Sequence, residues 1–201
     1  MISKDINDLV RLNQLWGKIF PYLALYVRDL FGKDRGSVLE YGIFSGGISI
    51  ELAKLSSGFK LAIGGLASEE LTEHIKKWAA DSVPAARIEI KGSFSDFEDT
   101  GFDLVVSRGF FFYLDHEEIL SDVFRVLRPG GIALLGGGYG DGTPRELIDA
   151  IAAESKILNA RLGRKWFSKE ELSDVLKRNG LIDRSELIDA GGVWIKICKN
   201  M

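Results

Sequence analysis

The feature that most constrains this chain is the alternation of short apolar runs with segments of helical periodicity. Residues 37–41, 59–63, 87–90, 102–107 and 132–135 have the length and apolar character of strands. Between them, residues 48–55, 68–80 and 116–127 carry apolar side chains at helical spacing. Strand and helix in repeated alternation predict a parallel sheet covered by helices on both faces.

The flanks follow other patterns. Ile6, Leu9, Leu12, Leu15, Trp16, Ile19, Leu23, Tyr26, Val27 and Leu30 recur at helical spacing, broken only by Pro21, which predicts two helices meeting near Phe20. Pro129-Gly130-Gly131 is expected to end one helix and turn into the strand at 132–135, after which a second glycine-rich loop, 136–143, leads to a helix starting near Pro144. Ser168-Lys169-Glu170-Glu171 is a capping box that opens a helix running to Asn179-Gly180. Apolar runs at 181–188 and 193–198, separated by Ala190-Gly191-Gly192, predict a terminal hairpin.

Composition narrows the function classes. With 201 residues, 46% of them hydrophobic, the chain can fill a core without disulfides or a structural metal. No repeat or linker divides it, so residues 1–201 are expected to form a single domain, with 1–36 a helical cap and 37–201 an α/β core. Lys and Arg total 26 against 29 for Asp and Glu, a net charge of −3 that argues against a nucleic-acid partner. The lone Cys198, at the end of an apolar run, is expected to be a buried thiol. With no signal-like segment and no apolar stretch near the ~20 residues of a membrane span, a cytoplasmic location without membrane contact is expected.

The chemistry concentrates in Val38-Leu39-Glu40-Tyr41-Gly42-Ile43-Phe44-Ser45-Gly46-Gly47, which puts a carboxylate at the end of the first strand and glycines around the turn into the following helix. Open α/β sheets bind ligands at such a place. Glycine permits unusual backbone angles and close approach of a ligand to the main chain, and a carboxylate can orient an ammonium group.

Over nearly its whole length the chain resembles the class I S-adenosylmethionine-dependent methyltransferases. Residues 38–47 look like that family's first motif, Gly64-Gly65-Leu66-Ala67-Ser68-Glu69-Glu70-Leu71 its second-strand turn, and Phe102-Asp103-Leu104-Val105-Val106-Ser107-Arg108-Gly109 its fourth-strand signature. Arg125-Val126-Leu127-Arg128-Pro129-Gly130-Gly131 is similar to its most recognisable turn, and Trp166-Phe167-Ser168 through Asn179-Gly180-Leu181 to its last helix and following strand. The resemblance implies a doubly wound, mostly parallel seven-stranded sheet of Rossmann-like type with an antiparallel C-terminal strand. It further implies S-adenosylmethionine as cofactor, held by Glu40, Gly42, Phe44, Gly46, Leu66, Ala67, Ser93, Phe94 and Ser107, and a small-molecule acceptor near Arg108, Tyr113 and Tyr139.

The sequence departs from the family pattern at three of these positions. Phe44 replaces the central glycine of the turn, where a benzyl group either swings away or fills the methionine space. Leu66 stands where an acidic side chain receives the ribose hydroxyls, a loss of about 1.5–3 kcal/mol for each charge-assisted bond. Gly92-Ser93 replaces a Gly-Asp step whose carboxylate meets the adenine amino group.

Methyl transfer relies on in-line proximity and needs a base only for acidic acceptors, so no fixed catalytic residue is expected. Ser107, Arg108, Phe110, Tyr113, Tyr139 and Asp141, which follow the fourth and fifth strands, are the residues expected nearest the methyl, with Arg108 suited to an anionic acceptor. The ordinary fate of these side chains is structural: Arg108 as a bridge within the fold, and Phe110, Phe111 and Phe112 as core. Arg161, Arg164 and Lys165 fit a solvated face better than a lid over the acceptor. His74 and His116 have no metal partner at ligand spacing, so no metal site is expected. The expected activity is methyl transfer to a small molecule. The alternatives are a catalytically degenerate relative acting as a binding or partner module, and a site for another nucleotide or an apolar ligand. A homodimer through the apolar N-terminal helices is compatible with either.

Overall fold

A computed structural model describes residues 6–83, 88–109, 112–113 and 116–200. In chain order the elements are α1 (Ile6–Trp16), α2 (Phe20–Phe31), β1 (Arg35–Tyr41), α3 (Gly47–Leu55), β2 (Gly58–Gly64), α4 (Glu69–Ser82), β3 (Ile88–Ile90), β4 (Phe102–Arg108), α5 (His116–Val126), β5 (Leu127–Gly136), α6 (Arg145–Arg161), α7 (Lys169–Arg178), β6 (Ser185–Ile188) and β7 (Trp194–Cys198).

The strands form one sheet in the order β3-β2-β1-β4-β5-β7-β6. The first five are parallel to their neighbours, whereas β7 runs antiparallel to both β5 and β6. The doubly wound seven-stranded reading holds, and so does the antiparallel terminus. Strand order reverses between β1 and β4, so a crevice opens beyond Tyr41 and Arg108, where such sheets place their ligands.

Alternation along the strands sorts the core into two layers. Val38, Leu104, Leu134 and Trp194 face α1, α2 and α6, while Leu39, Val105, Leu135 and Ile195 face α5 and α7. Trp194, Phe20 and Phe59 are among the largest fully buried side chains, each stabilising the fold by about 1.5–3 kcal/mol. The N-terminal helices meet at Phe20 as the Pro21 break predicts. Then α1 packs on α6, α2 packs on α3, and Gly32 in the left-handed region ends α2 by donating its N–H to Arg28 O. Ser168 caps α7 in the expected box with Glu171.

Three local expectations change. Pro129-Gly130-Gly131 lies inside β5, because β7 delivers Lys199 alongside it: Gly130 N donates to Lys199 O at 2.7 Å and Lys199 N to Gly131 O at 2.9 Å. Residues 182–184 form a helical turn, so β6 starts only at Ser185. Cys198 is exposed. It shares a strand face with Trp194 and Lys196, and burial falls along that face from Trp194 outward. Arg87, Phe110, Phe111, Leu114 and Asp115 lie outside the described residues.

Candidate functional site

The turn after β1 keeps the backbone its sequence predicts. Gly42 and Gly46 have φ of 140° and 119°, values that side chains rarely adopt. Ser45 Oγ lies 2.7 Å from Gly42 O and 2.8 Å from Gly64 O, and Gly42 N donates to Gly64 O at 2.9 Å, so the turn is stitched to the end of β2. Glu40 is buried and caps α3: its carboxylate accepts from Ser49 N at 2.7 Å and Ile48 N at 3.3 Å. Burial pushes this carboxyl above the usual carboxylate range, and the amides of Ser49, Gly46 and Ile48 oppose that rise.

The space above the turn is apolar and filled. Every residue from 41 to 50 is buried. A Cβ on Gly47 would fall 2.4 Å from the Phe20 ring, and one on Gly46 would meet Ile75 Cγ2 at 2.7 Å. The Phe44 ring, 2% exposed, stands edge-on between Trp16 (centroids 4.9 Å apart) and Tyr113 (5.5 Å), close to the Cα of Gly109 just beyond β4. The benzyl group is thus packed inward against these rings and not exposed to solvent.

On the other side of the turn the expected adenosine residues form a shallower rim. Leu66 is half-buried against the cluster of Ile50, Ile63 and Ile75, and Ala67 is exposed. Ser93 is exposed, with its N–H donating to Asp96 Oδ2 at 2.7 Å and its hydroxyl 2.6 Å from that of Ser95. Phe94 is buried and stacks on Tyr41 at 3.6 Å between centroids. Gly65 N donates to Gly92 O at 2.8 Å, which joins the ends of β2 and β3. For S-adenosylmethionine, then, the backbone of the turn and the open rim fit.

A second region opens over β4 and β5. There a cavity of about 290 Å3 is lined by Trp16, Arg108, Phe112, Tyr139, Arg164 and Trp166, with Gly137, Gly138 and Gly192 at its base. Arg108 is 6% exposed, stacks its guanidinium 3.8 Å from the Trp16 ring centroid and donates Nε to Gly138 O at 3.1 Å. Its second nitrogen, Nη1, is buried without a partner among the described residues. Burial pushes Arg108 down to about 9, with a further lowering from Arg164. Arg164 lies over Phe112 at 4.6 Å and Trp166 at 4.2 Å, and its Nε is likewise unpartnered. Nearby, Ser107 Oγ at the end of β4 is buried with no partner among the described residues.

Beneath this cavity runs a polar network that the sequence reading missed. Trp16 Nε1 donates to Ser155 Oγ at 3.0 Å, Asn159 Nδ2 donates to Ser155 O at 2.6 Å, and the Tyr113 hydroxyl donates to Asn159 Oδ1. Burial pushes Tyr113 up to about 12, which keeps it a donor. A signal existed: Ser155 and Asn159 interrupt the buried stripe of α6 formed by Ile151 and Leu158, and polar groups on a core-facing stripe need partners. Arg108 and Tyr139 come together as expected, whereas Asp141 lies by a separate cavity with Tyr22 and Tyr26. Arg161 pairs with Asp8 at 3.2 Å, so only Arg164 of its cluster reaches the site. The second glycine loop serves packing as well as access, since a Cβ on Gly138 would lie 1.9 Å from Gly191 O. Among the described residues no cluster of His, Cys, Asp or Glu is arranged to hold a metal, and no helix is long and apolar enough to cross a membrane.

Comparison with known proteins accounts for this layout. A family profile described as a methyltransferase domain matches residues 39–135. No curated protein matches the chain in sequence. Among solved structures, a candidate S-adenosyl-L-methionine-dependent methyltransferase from Methanococcus maripaludis is 30% identical, with a TM-score of 0.79 over 96% of this chain and 92% of that one. Geranyl diphosphate C-methyltransferase from Streptomyces coelicolor A3(2) shares the fold at 14% identity (TM-score 0.64; 89% of this chain, 77% of that one). Phosphoethanolamine N-methyltransferase 2 from Haemonchus contortus does so at 21% (TM-score 0.58; 85% and 43%). Sheet order, the turn after β1 and near-complete overlap with a 30%-identical relative lead to one conclusion: the chain belongs to the class I S-adenosylmethionine-dependent methyltransferase family.

Proposed function

We propose that this protein transfers a methyl group from S-adenosylmethionine to a small-molecule acceptor, as a single cytoplasmic domain. The carrying observation is the cavity at the ends of β4 and β5, beside the strand-order reversal, with Arg108 buried at its wall and a nitrogen left unpaired. The cofactor supplies an electrophilic methyl, and the chain supplies position and exclusion of water. Gly42, Gly46 and the α3 terminus fixed by Glu40 would hold the methionine end. Leu66, Ala67, Ser93 and Phe94 would border the adenosine, with Ser107 between the two. Arg108, Tyr113 and Tyr139 would orient the acceptor. No side chain is assigned as an obligatory base, and the apolar N-terminal helices also offer a surface for a homodimer.

Calorimetry with S-adenosylhomocysteine tests this reading. Saturable heat is expected from the parent, with at least tenfold tighter binding by Phe44→Gly, where the ring no longer competes for the space. The burial of Phe44 supports a second reading, a relative whose crevice has closed and which acts by binding a partner. Saturable heat from Phe44→Gly alone favours that reading. No heat from either protein at roughly millimolar ligand sinks the first.

A further inference from the structure

The acceptor cavity holds two guanidiniums with unsatisfied donors, and this limits what can enter. Arg164 is near enough to Arg108 to disfavour its charge, and no carboxylate among the described residues forms an ion pair with either. Glu40, the one carboxylate felt by Arg108, is already tied to the amides of α3. A buried cation without a counter-charge is costly, and the usual remedies are an anion or a lost proton.

Geometry narrows the anion. Both guanidiniums lie against aromatic rings, Arg108 on Trp16 and Arg164 on Phe112 and Trp166, and both residues line the cavity. A planar fork used edge-on matches a carboxylate. Tyr139 and Phe167 add aromatic surface to the walls, and about 290 Å3 suits a molecule of one ring.

We infer that this cavity binds a small flat acid, its carboxylate between Arg108 and Arg164 and its ring among the aromatic walls, and that the methyl acceptor belongs to this class. The inference rests on the methyltransferase reading for the word acceptor, and on the cavity alone for the anion. Hydroxybenzoates and similar conjugated acids have the required shape and charge.

Calorimetric titration of the full chain with benzoate, benzamide and inorganic phosphate tests it. Benzoate should saturate, with benzamide and phosphate each at least tenfold weaker. Arg164→Met, at a partly exposed position, should weaken benzoate at least tenfold and leave benzamide within twofold, and Arg108→Met should do the same where it folds. Equal binding of benzoate and benzamide, no benzoate binding, an unaffected Arg164→Met, or phosphate tighter than benzoate would each overturn the assignment. A parallel titration with S-adenosylhomocysteine separates the two ideas. Cofactor binding without benzoate selectivity removes the acid site and keeps the methyltransferase; selectivity without cofactor binding does the reverse.

Discussion

The ends of β1 and of β4 lie side by side in the sheet, yet the crevice above them is finished in opposite ways. Over β1, Phe44, Phe20 and Ile75 close the glycine turn with apolar contacts, and the Ser45 hydroxyl and Glu40 carboxylate are hydrogen-bonded within the chain. Over β4 and β5, two guanidiniums that line a cavity and a serine hydroxyl keep buried polar atoms without partners among the described residues. Apolar closure stabilises the protein by itself, whereas buried polar groups without partners destabilise it by about 1–3 kcal/mol each. The comparison therefore separates a region closed by apolar packing from one whose buried polar groups the fold leaves without partners.

The largest expected effect breaks the closed side. Phe44→Ala should destabilise the fold by about 3 kcal/mol or more in denaturant unfolding, because it empties a packed aromatic site, while raising affinity for S-adenosylhomocysteine. An unchanged stability would mean that the ring is not structural and the contrast is false. Next comes the open side's floor. Gly138→Ala forces a Cβ against backbone and should cost about 2–3 kcal/mol, together with benzoate binding. Asn159→Leu, which strips the Tyr113 hydroxyl of its acceptor under the cavity, should cost about 1–2 kcal/mol by the same assay.

A pH series sharpens the comparison further. Arg108, faced by Tyr139, Arg164, Tyr113 and Glu40, is lowered to about 9, so it is charged below that value and loses its charge above it. Benzoate affinity should thus be flat near neutrality and fall up to about tenfold per pH unit once the pH passes 9. A flat profile through that range would show that Arg108 keeps its charge there. The smallest effect belongs to neither side: Arg11→Ala removes an exposed pair with Glu154 and should leave Tm where it is.

How much of this the sequence disclosed follows from what kind of information each part needs. Strands and helices were legible because period-2 and period-3.6 apolar patterns are local, and Pro21 and the Ser168 box mark boundaries by their own chemistry. The extension of β5 through Pro129 was not, since it depends on Lys199 arriving from the far end of the chain. In the site, Phe44 announced a conflict that the fold resolves by packing the ring inward. Arg164 could not be told from Arg161 or Lys165 by composition, as only packing on Phe112 and Trp166 distinguishes it. The role of Trp16 at the cavity wall was hidden because helical spacing marks a residue as buried without naming its neighbour.

The near-contact of Gly138 with Gly191 and Gly192 carries a consequence for how this scaffold can change. Two main chains share a gap too narrow for a methyl group, so the hairpin turn acts as a spacer that sets how far the loop after β5 can settle. Exchanging that turn for one of different length would resize the cavity while sparing its aromatic and cationic walls, a route to new acceptors that leaves β1 and β2 untouched.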